Sequence, residues 1–205
     1  VGRYAGQTSQ GNSAAAIGSY AGLSSQGSGA VAIGQNCASY QQGQQATAVG
    51  YSSGRTGQAQ HATAIGSQAG EISQQEYGVA VGMLAGGTSQ STQSVALGWG
   101  AGRFSQGARS LAIGTSSGST GQSGDAIAVG YQVGGMNQGQ YSCAFGHYAG
   151  ETSQGTYSVA LGFEAGRNDQ EISSVAIGDQ SGHTSQGRYS VAIGCQAHKT
   201  NGGND

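Results

Sequence analysis

The chain has 205 residues with 41 glycines, no proline and only 8% charged side chains, and 7 Lys and Arg against 9 Asp and Glu give a net charge of −2. That balance supplies no basic patch for a nucleic-acid backbone or an anionic membrane surface, so neither is expected as a partner. No apolar run approaches the length that spans a bilayer, so membrane insertion is not expected; the chain opens inside a repeat with no signal peptide, as a processed or truncated end would.

A glycine recurs every sixteen residues. Gly2, Gly18, Gly34, Gly50, Gly66, Gly82, Gly98, Gly114, Gly130, Gly146, Gly162, Gly178 and Gly194 follow one another without insertion or deletion. A short fixed period of this kind belongs to stacked, quasi-one-dimensional proteins, in which each repeat contacts only its neighbours. The expected fold is an all-β parallel β-roll, or β-solenoid, of thirteen 16-residue coils, with residues 1–197 as one array and 198–205 as a polar linker or cap.

Taken in chain order from the anchor glycine, each position of the coil has its own logic. Immediately after the anchor stand Tyr51, Met83, Trp99, Tyr131, His147 and Phe163 among smaller residues such as Ser19, Ser67 and Thr115. Rings in this variable column, with Tyr148 beside it, are candidates for stacking on sugars or docking a receptor, or else they pack over the corner glycines. The candidate binding residues are Tyr51, Trp99, Tyr131, Tyr148 and Phe163. Four residues after the anchor a second glycine recurs, replaced by Ala38 in one coil and His198 in the last, and marks a corner. Six after it Thr8, Thr56, Thr88, Thr120, Thr152 and Thr184 form a rank interrupted by Tyr40, Ile72, Phe104, Met136 and Asn168.

Eight residues after the anchor comes the most uniform polar column: Gln10, Gln26, Gln42, Gln58, Gln74, Gln90, Gln106, Gln122, Gln138, Gln154, Gln170 and Gln186, unbroken until Gly202. Identical amides stacked at the strand spacing of about 4.7–4.8 Å can form a hydrogen-bonded ladder. Whether that ladder faces inward or an interface is left open by the pattern. A further variable column carries His61, Tyr77, Arg109, Asp125, Tyr141, Tyr157 and Tyr189 and reads as an outward face.

The coil closes on a short strand such as Ser158-Val159-Ala160-Leu161-Gly162. Alanine stands two residues before each anchor from Gly18 onward, flanked by Val, Leu, Ile or Thr (Ala15 and Cys143 excepted) and then Ile, Val, Leu or Phe. Bulky and small residues alternate with period two, which is the mark of a strand of about four residues. Two bulky apolar residues per coil make a thin roll with little single-chain core, so a further surface is expected to cover the remaining apolar face. Copies packed around a common axis would do so; the alternative is a monomeric flat solenoid in which both strands of each coil are tightly opposed through the alanines. At about 4.8 Å per coil the array would be a rod roughly 60 Å long.

The Ser190-Val191-Ala192-Ile193-Gly194 strand and the Ala149-Gly150 through Ser153-Gln154-Gly155 corner resemble the head repeats of YadA-like trimeric autotransporter adhesins. They are also similar to A-I-G-x-x-A-G-x-x-x-Q-G arrays in fibres of phages and large viruses. The resemblance covers essentially residues 1–197. It implies a left-handed roll, three chains side by side, and an attachment role outside the cell or on a virion, with a host-surface glycan or protein as receptor. The sixteen-residue period is longer than the commoner repeat of the bacterial heads, and no coiled-coil stalk or membrane anchor is evident.

Catalysis, cofactors and metals have little support in the sequence, and no enzyme is expected. Glu164, Asp169 and Glu171 fall in different columns and read as a solvated turn, and His61, His147, His183 and His198 occupy four different columns. Cys37, Cys143 and Cys195 are at least three coils apart, roughly 14 Å or more, beyond the reach of a disulfide. Cys143 reads as a small hydrophobe, and an interchain bond is conceivable at Cys195. The expected function is a structural rod and adhesin segment of a surface or virion fibre. A self-assembling extracellular filament subunit and an ice-binding solenoid are the alternatives, the last weakened by the interrupted threonine rank.

Overall fold

The computed structural model describes residues 1–198, so the polar segment from Lys199 onward, with Gly202, lies outside the described residues; His198, also assigned to it, is exposed. By contact the chain divides into two compact units, Val1–Ser105 and Gln106–Asp205. All regular structure in the described residues is β. The first unit runs β1 (Thr8–Gln10), β2 (Ala15–Ile17), β3 (Ser24–Gln26), β4 (Val31–Ile33), β5 (Tyr40–Gln42), β6 (Thr47–Val49), β7 (Thr56–Gln58), β8 (Thr63–Ile65), β9 (Val79–Val81), β10 (Thr88–Gln90) and β11 (Val95–Leu97). After β12 (Phe104–Gln106) at the boundary, the second unit has β13 (Leu111–Ile113), β14 (Ile127–Tyr131), β15 (Cys143–His147), β16 (Val159–Phe163), β17 (Val175–Ile177) and β18 (Val191–Ile193).

Both units are parallel β-solenoids with a sixteen-residue coil. In the first, Ala16, Ala32, Ala48, Ala64, Ala80 and Ala96 lie in register along β2, β4, β6, β8, β9 and β11. In the second, Ala112, Ala128, Ala144, Ala160, Ala176 and Ala192 do the same along β13 to β18. The opposite side of each coil carries the glutamine strands, with Gln10, Gln26, Gln42 and Gln58 in register through β1, β3, β5 and β7. In the second unit that side is reduced to single bridges, Thr120 to Met136, Thr152, Asn168 and Thr184 in turn.

The anchor glycine is dictated by how tightly the coils stack. Gly50 has φ +132°, and a Cβ there would lie 2.6 Å from the Gly66 carbonyl oxygen. No L side chain fits that corner, because the backbone region is unfavourable and the space is taken by the next coil.

The interior is built from small and amide side chains. The alanines two residues before the anchors are buried, as are Ala21, Ala69, Ala85, Ala101, Ala149 and Ala165 from the corner three residues after the anchor. At that corner Ser53 Oγ donates across the coil to the Ala64 carbonyl at 2.7 Å and Ser181 Oγ to the Ala192 carbonyl at 2.6 Å, while Ser117 Oγ donates locally to the Gly114 carbonyl at 3.2 Å. Interior serines of another column satisfy themselves locally, as Ser158 Oγ does on the Gly155 carbonyl at 2.6 Å. The bulky strand residues instead turn outward. Ile17, Ile33, Ile65 and Leu97 in the first unit, and Phe145, Leu161, Val191 and Ile193 in the second, are exposed, with the remaining valines half-buried. Period two fixes that bulky and small residues face opposite ways, and the narrow coil leaves room only for the small ones inside.

Candidate functional site

The glutamine column lies inside the coil. From Gln26 to Gln186 its side chains are at most 3% exposed, and only Gln10, in the first coil, is exposed. In the first unit Gln42 Nε2 donates to Gln58 Oε1 at 3.1 Å, Gln58 to Gln74 at 3.2 Å and Gln74 to Gln90 at 3.0 Å. In the second, Gln106, Gln122, Gln138, Gln154, Gln170 and Gln186 are joined in the same direction at 3.0–3.4 Å. Most of these amides also tie the two sides of a coil together, as Gln58 Nε2 does on the Thr47 carbonyl at 2.9 Å. A buried primary amide is tolerated where its donors and acceptor are engaged, as from Gln58 to Gln74; the Oε1 atoms of Gln26 and Gln42 are the exceptions, buried without a hydrogen-bond partner. This column is internal cross-bracing and offers no surface to a partner.

The candidate binding residues separate into two kinds of environment. Tyr131, Tyr148 and Phe163 come together in the second unit, where β14, β15 and β16 lengthen to five residues and pair Tyr131 with His147 and His147 with Phe163. The rings stack up the column, Tyr131 on His147 at 4.8 Å and 18°, His147 on Phe163 at 5.5 Å and 21°. Tyr148 meets Tyr131 and His147 edge-on. Tyr51 and Trp99 stand in the same column of the first unit, 52% and 46% exposed, and no ring stacks on either among the described residues. Of the stacked rings, His147 has a neighbour on both sides, and Tyr131 and Phe163 on one each. Tyr51 and Trp99, with no ring contact among the described residues, are about as exposed as the stack's end members, Tyr131 at 42% and Phe163 at 46%.

A charged network flanks the stack, joining Glu164 and His183 to Glu151, Arg167 and Gln180. Arg167 donates from Nε to Glu151 at 2.7 Å and from Nη1 to Glu164 at 2.8 Å, while its guanidinium lies 4.8 Å from the centre of the Tyr148 ring. Glu164 also accepts from Gln180 at 2.8 Å and pairs with His183 at 3.4 Å. Its side chain is 12% exposed, so the expectation of a solvated turn is corrected at this residue; Asp169 and Glu171 are exposed. The hydrogen bond to Glu151 holds the Arg167 guanidinium further above its ordinary range, and desolvation, followed by Tyr131, raises the Tyr148 phenol. The signal for such pairs is sixteen-residue spacing: Arg55 with Glu71, Arg109 with Asp125 and Glu151 with Arg167 are each one coil apart.

The other variable column is outward and also stacks, His61 on Tyr77 at 5.1 Å and Tyr141 on Tyr157 at 5.2 Å. In the threonine rank, Tyr40, Ile72, Phe104 and Met136 are exposed and break any regular hydroxyl surface. An open cleft of about 460 Å³ in the second unit is lined by Ser153, Asp169, Glu171, Ile172 and Arg188, among others. No three His, Cys, Asp or Glu side chains among the described residues are grouped to hold a metal ion. All three cysteines are free, Cys37 buried, Cys143 half-buried on the outward side of its strand and Cys195 exposed.

Comparison with models of known families, with curated proteins and with solved structures gives no match, so the reading of these surfaces rests on their own geometry.

Proposed function

We propose that this chain is a non-enzymatic structural rod and adhesin segment of an extracellular or virion fibre, associating side by side with copies of itself, as a homotrimer around a common axis. The observation that carries the reading is the inversion of the coil: alanine and glutamine fill the interior while the valine, isoleucine and leucine columns face outward. Outward apolar columns of this kind, within each unit, mark an interaction face. From Ala15 and Ile17 to Val191 and Ile193, the two outward strand columns contain no charged residue. A second copy presents the same apolar columns at the same coil spacing, so the face matches itself by construction. The likeness of the Ser-Val-Ala-Ile-Gly strands to trimeric adhesin heads supports the same arrangement. Attachment to a host glycan or protein receptor is assigned to Tyr51 and Trp99, which are exposed and stack on no other ring among the described residues.

The test is sedimentation mass of the whole chain, alone and with Val159→Asp and Leu161→Asp introduced together. The parent is expected at three times the chain mass and the variant at one, with the same β circular dichroism. A parent that sediments as a single chain overturns the proposal. For attachment, Trp99→Ala with Tyr51→Ala is expected to abolish adhesion to cells or immobilised glycans without changing mass. Unchanged adhesion would remove these two rings from recognition.

A further inference from the structure

Side-by-side association of a repetitive face raises a problem of register. Each coil of the second unit offers an equivalent pair of apolar residues, so a copy displaced by one coil would still meet apolar side chains along most of its length. Such degenerate pairings slip unless an aperiodic feature penalises the displaced states. From the geometry of the ring column we infer that the Tyr131–His147–Phe163 stack is the axial register key between copies of this chain. The inference rests on the association proposed above and adds what fixes its alignment.

Three observations carry it. The stack is aperiodic: the same column holds Thr115 in the coil before it and an exposed Asp179 in the coil after it. It is continuous with the apolar face, because among the described residues only β14, β15 and β16 extend past the anchor glycine. There Tyr131, His147 and Phe163 pair in register beside Val129, Phe145 and Leu161. It is also firm, since the rings are held against one another at 4.8 and 5.5 Å while Tyr131 and Phe163 stay exposed. The occupant that suits such a ridge is a second copy of this chain in matching register, whose own ridge stands at the same height. A one-coil slip would bring a ring against Asp179 or Thr115 and leave the opposite end of the ridge without an apolar partner.

The experiment introduces Tyr131→Ser, His147→Ser and Phe163→Ser together, serine being what this column already carries at Ser19 and Ser67. Phe145→p-benzoylphenylalanine, placed in both the parent and the triple variant, reports which coil of the neighbouring copy it touches. Photocrosslinks are located by mass spectrometry, since every coil differs in sequence. The parent is expected to crosslink within one coil of its neighbour; the triple variant should keep its sedimentation mass while its crosslinks spread over three or more coils. A triple variant still confined to one coil, or a parent already spread over several, overturns the register key while leaving association intact. A parent of single-chain mass would instead fail the association itself, and sedimentation shows that before any crosslinking. Circular dichroism verifies that the triple variant is folded; if it is not, Phe163→Ser alone is read in the same way, with partial spreading expected and confinement to one coil counting against the key.

Discussion

The methyl group of Ala38 stands at the corner four residues before Gln42, and the buried Oε1 of Gln42 has no hydrogen-bond partner. Other coils, such as that of Gly54, have glycine at this corner with φ near +50°, and Ala38 adopts φ 44°. A Cβ at Gly54 would lie 2.8 Å from Gln58 Oε1, which is the conflict that Ala38 introduces beside Gln42. Gln26, one coil earlier, donates to the Ala15 and Ala30 carbonyls, and its own Oε1 is also without a partner.

Ala38→Gly is therefore expected to stabilise the protein. Losing a buried methyl costs about 0.8 kcal/mol and the added chain entropy up to about 1 kcal/mol. Against this stand relief of a left-handed alanine, about 1–2 kcal/mol, and a partner for a buried amide oxygen, about 1–3 kcal/mol. The gain wins, by about 1 kcal/mol. Thermal unfolding of the variant should shift upward; an unchanged or lower midpoint would show that Ala38 and Gln42 are not in conflict.

Gln138→Leu tests the bracing role of the internal amides. Gln138 accepts from Gln122 at 3.0 Å and donates to the Ile127 carbonyl at 2.7 Å and to Gln154 at 3.2 Å. Leucine leaves Gln154 Oε1 and the Ile127 carbonyl without this donor, at about 1–3 kcal/mol for each buried group so orphaned. Denaturant unfolding should report a loss of that order, and a variant as stable as the parent would mean the amides add nothing to the packing.

Burial pushes the Cys37 thiol up to about 12, outweighing the backbone hydrogen bonds that act the other way. The folded state thus keeps its proton where the unfolded state loses it. The contribution to stability is complete below the ordinary thiol range and declines as pH rises from about 9 towards 12. Cys37→Ala should remove this part of the alkaline slope in unfolding free energy. In the folded parent, maleimide should label Cys195 first and Cys37 last, since they are exposed and buried respectively. Rapid labelling of Cys37 below its unfolding transition would contradict the buried assignment.

Arg109 and Asp125, one coil apart, form a two-pronged pair at 2.6 and 2.7 Å on the outward corner. The guanidinium's hydrogen bond holds the Asp125 carboxyl below its usual range. The linked stabilisation is present above the ordinary aspartate range and is lost as pH falls through the depressed value. Arg109 is exposed and Asp125 half-buried at the surface, so salt should screen the effect in part. Carbon NMR titration of Asp125 should show an upward shift in Arg109→Gln; no movement would leave the pair as a packing coincidence.

The amino-acid sequence by itself determined the coil length, the parallel register and the alternation of large and small strand residues. Each follows from a period that never drifts: any residue must sit over the residue sixteen further on. That rule also brings Tyr131, His147 and Phe163 into one stack and sets Glu151 beside Arg167. The tertiary structure decided which face of the strand turns inward. Alternation is symmetric between the two faces, and the usual preference for large apolar residues inside would have placed Val159 and Leu161 in the core rather than Ala160. The cross-section settles it: short strands between glycine corners enclose room for alanine and for an extended amide that bonds across the coil. The bulky columns are therefore left outside, and the candidate interface lies where a core would ordinarily be sought.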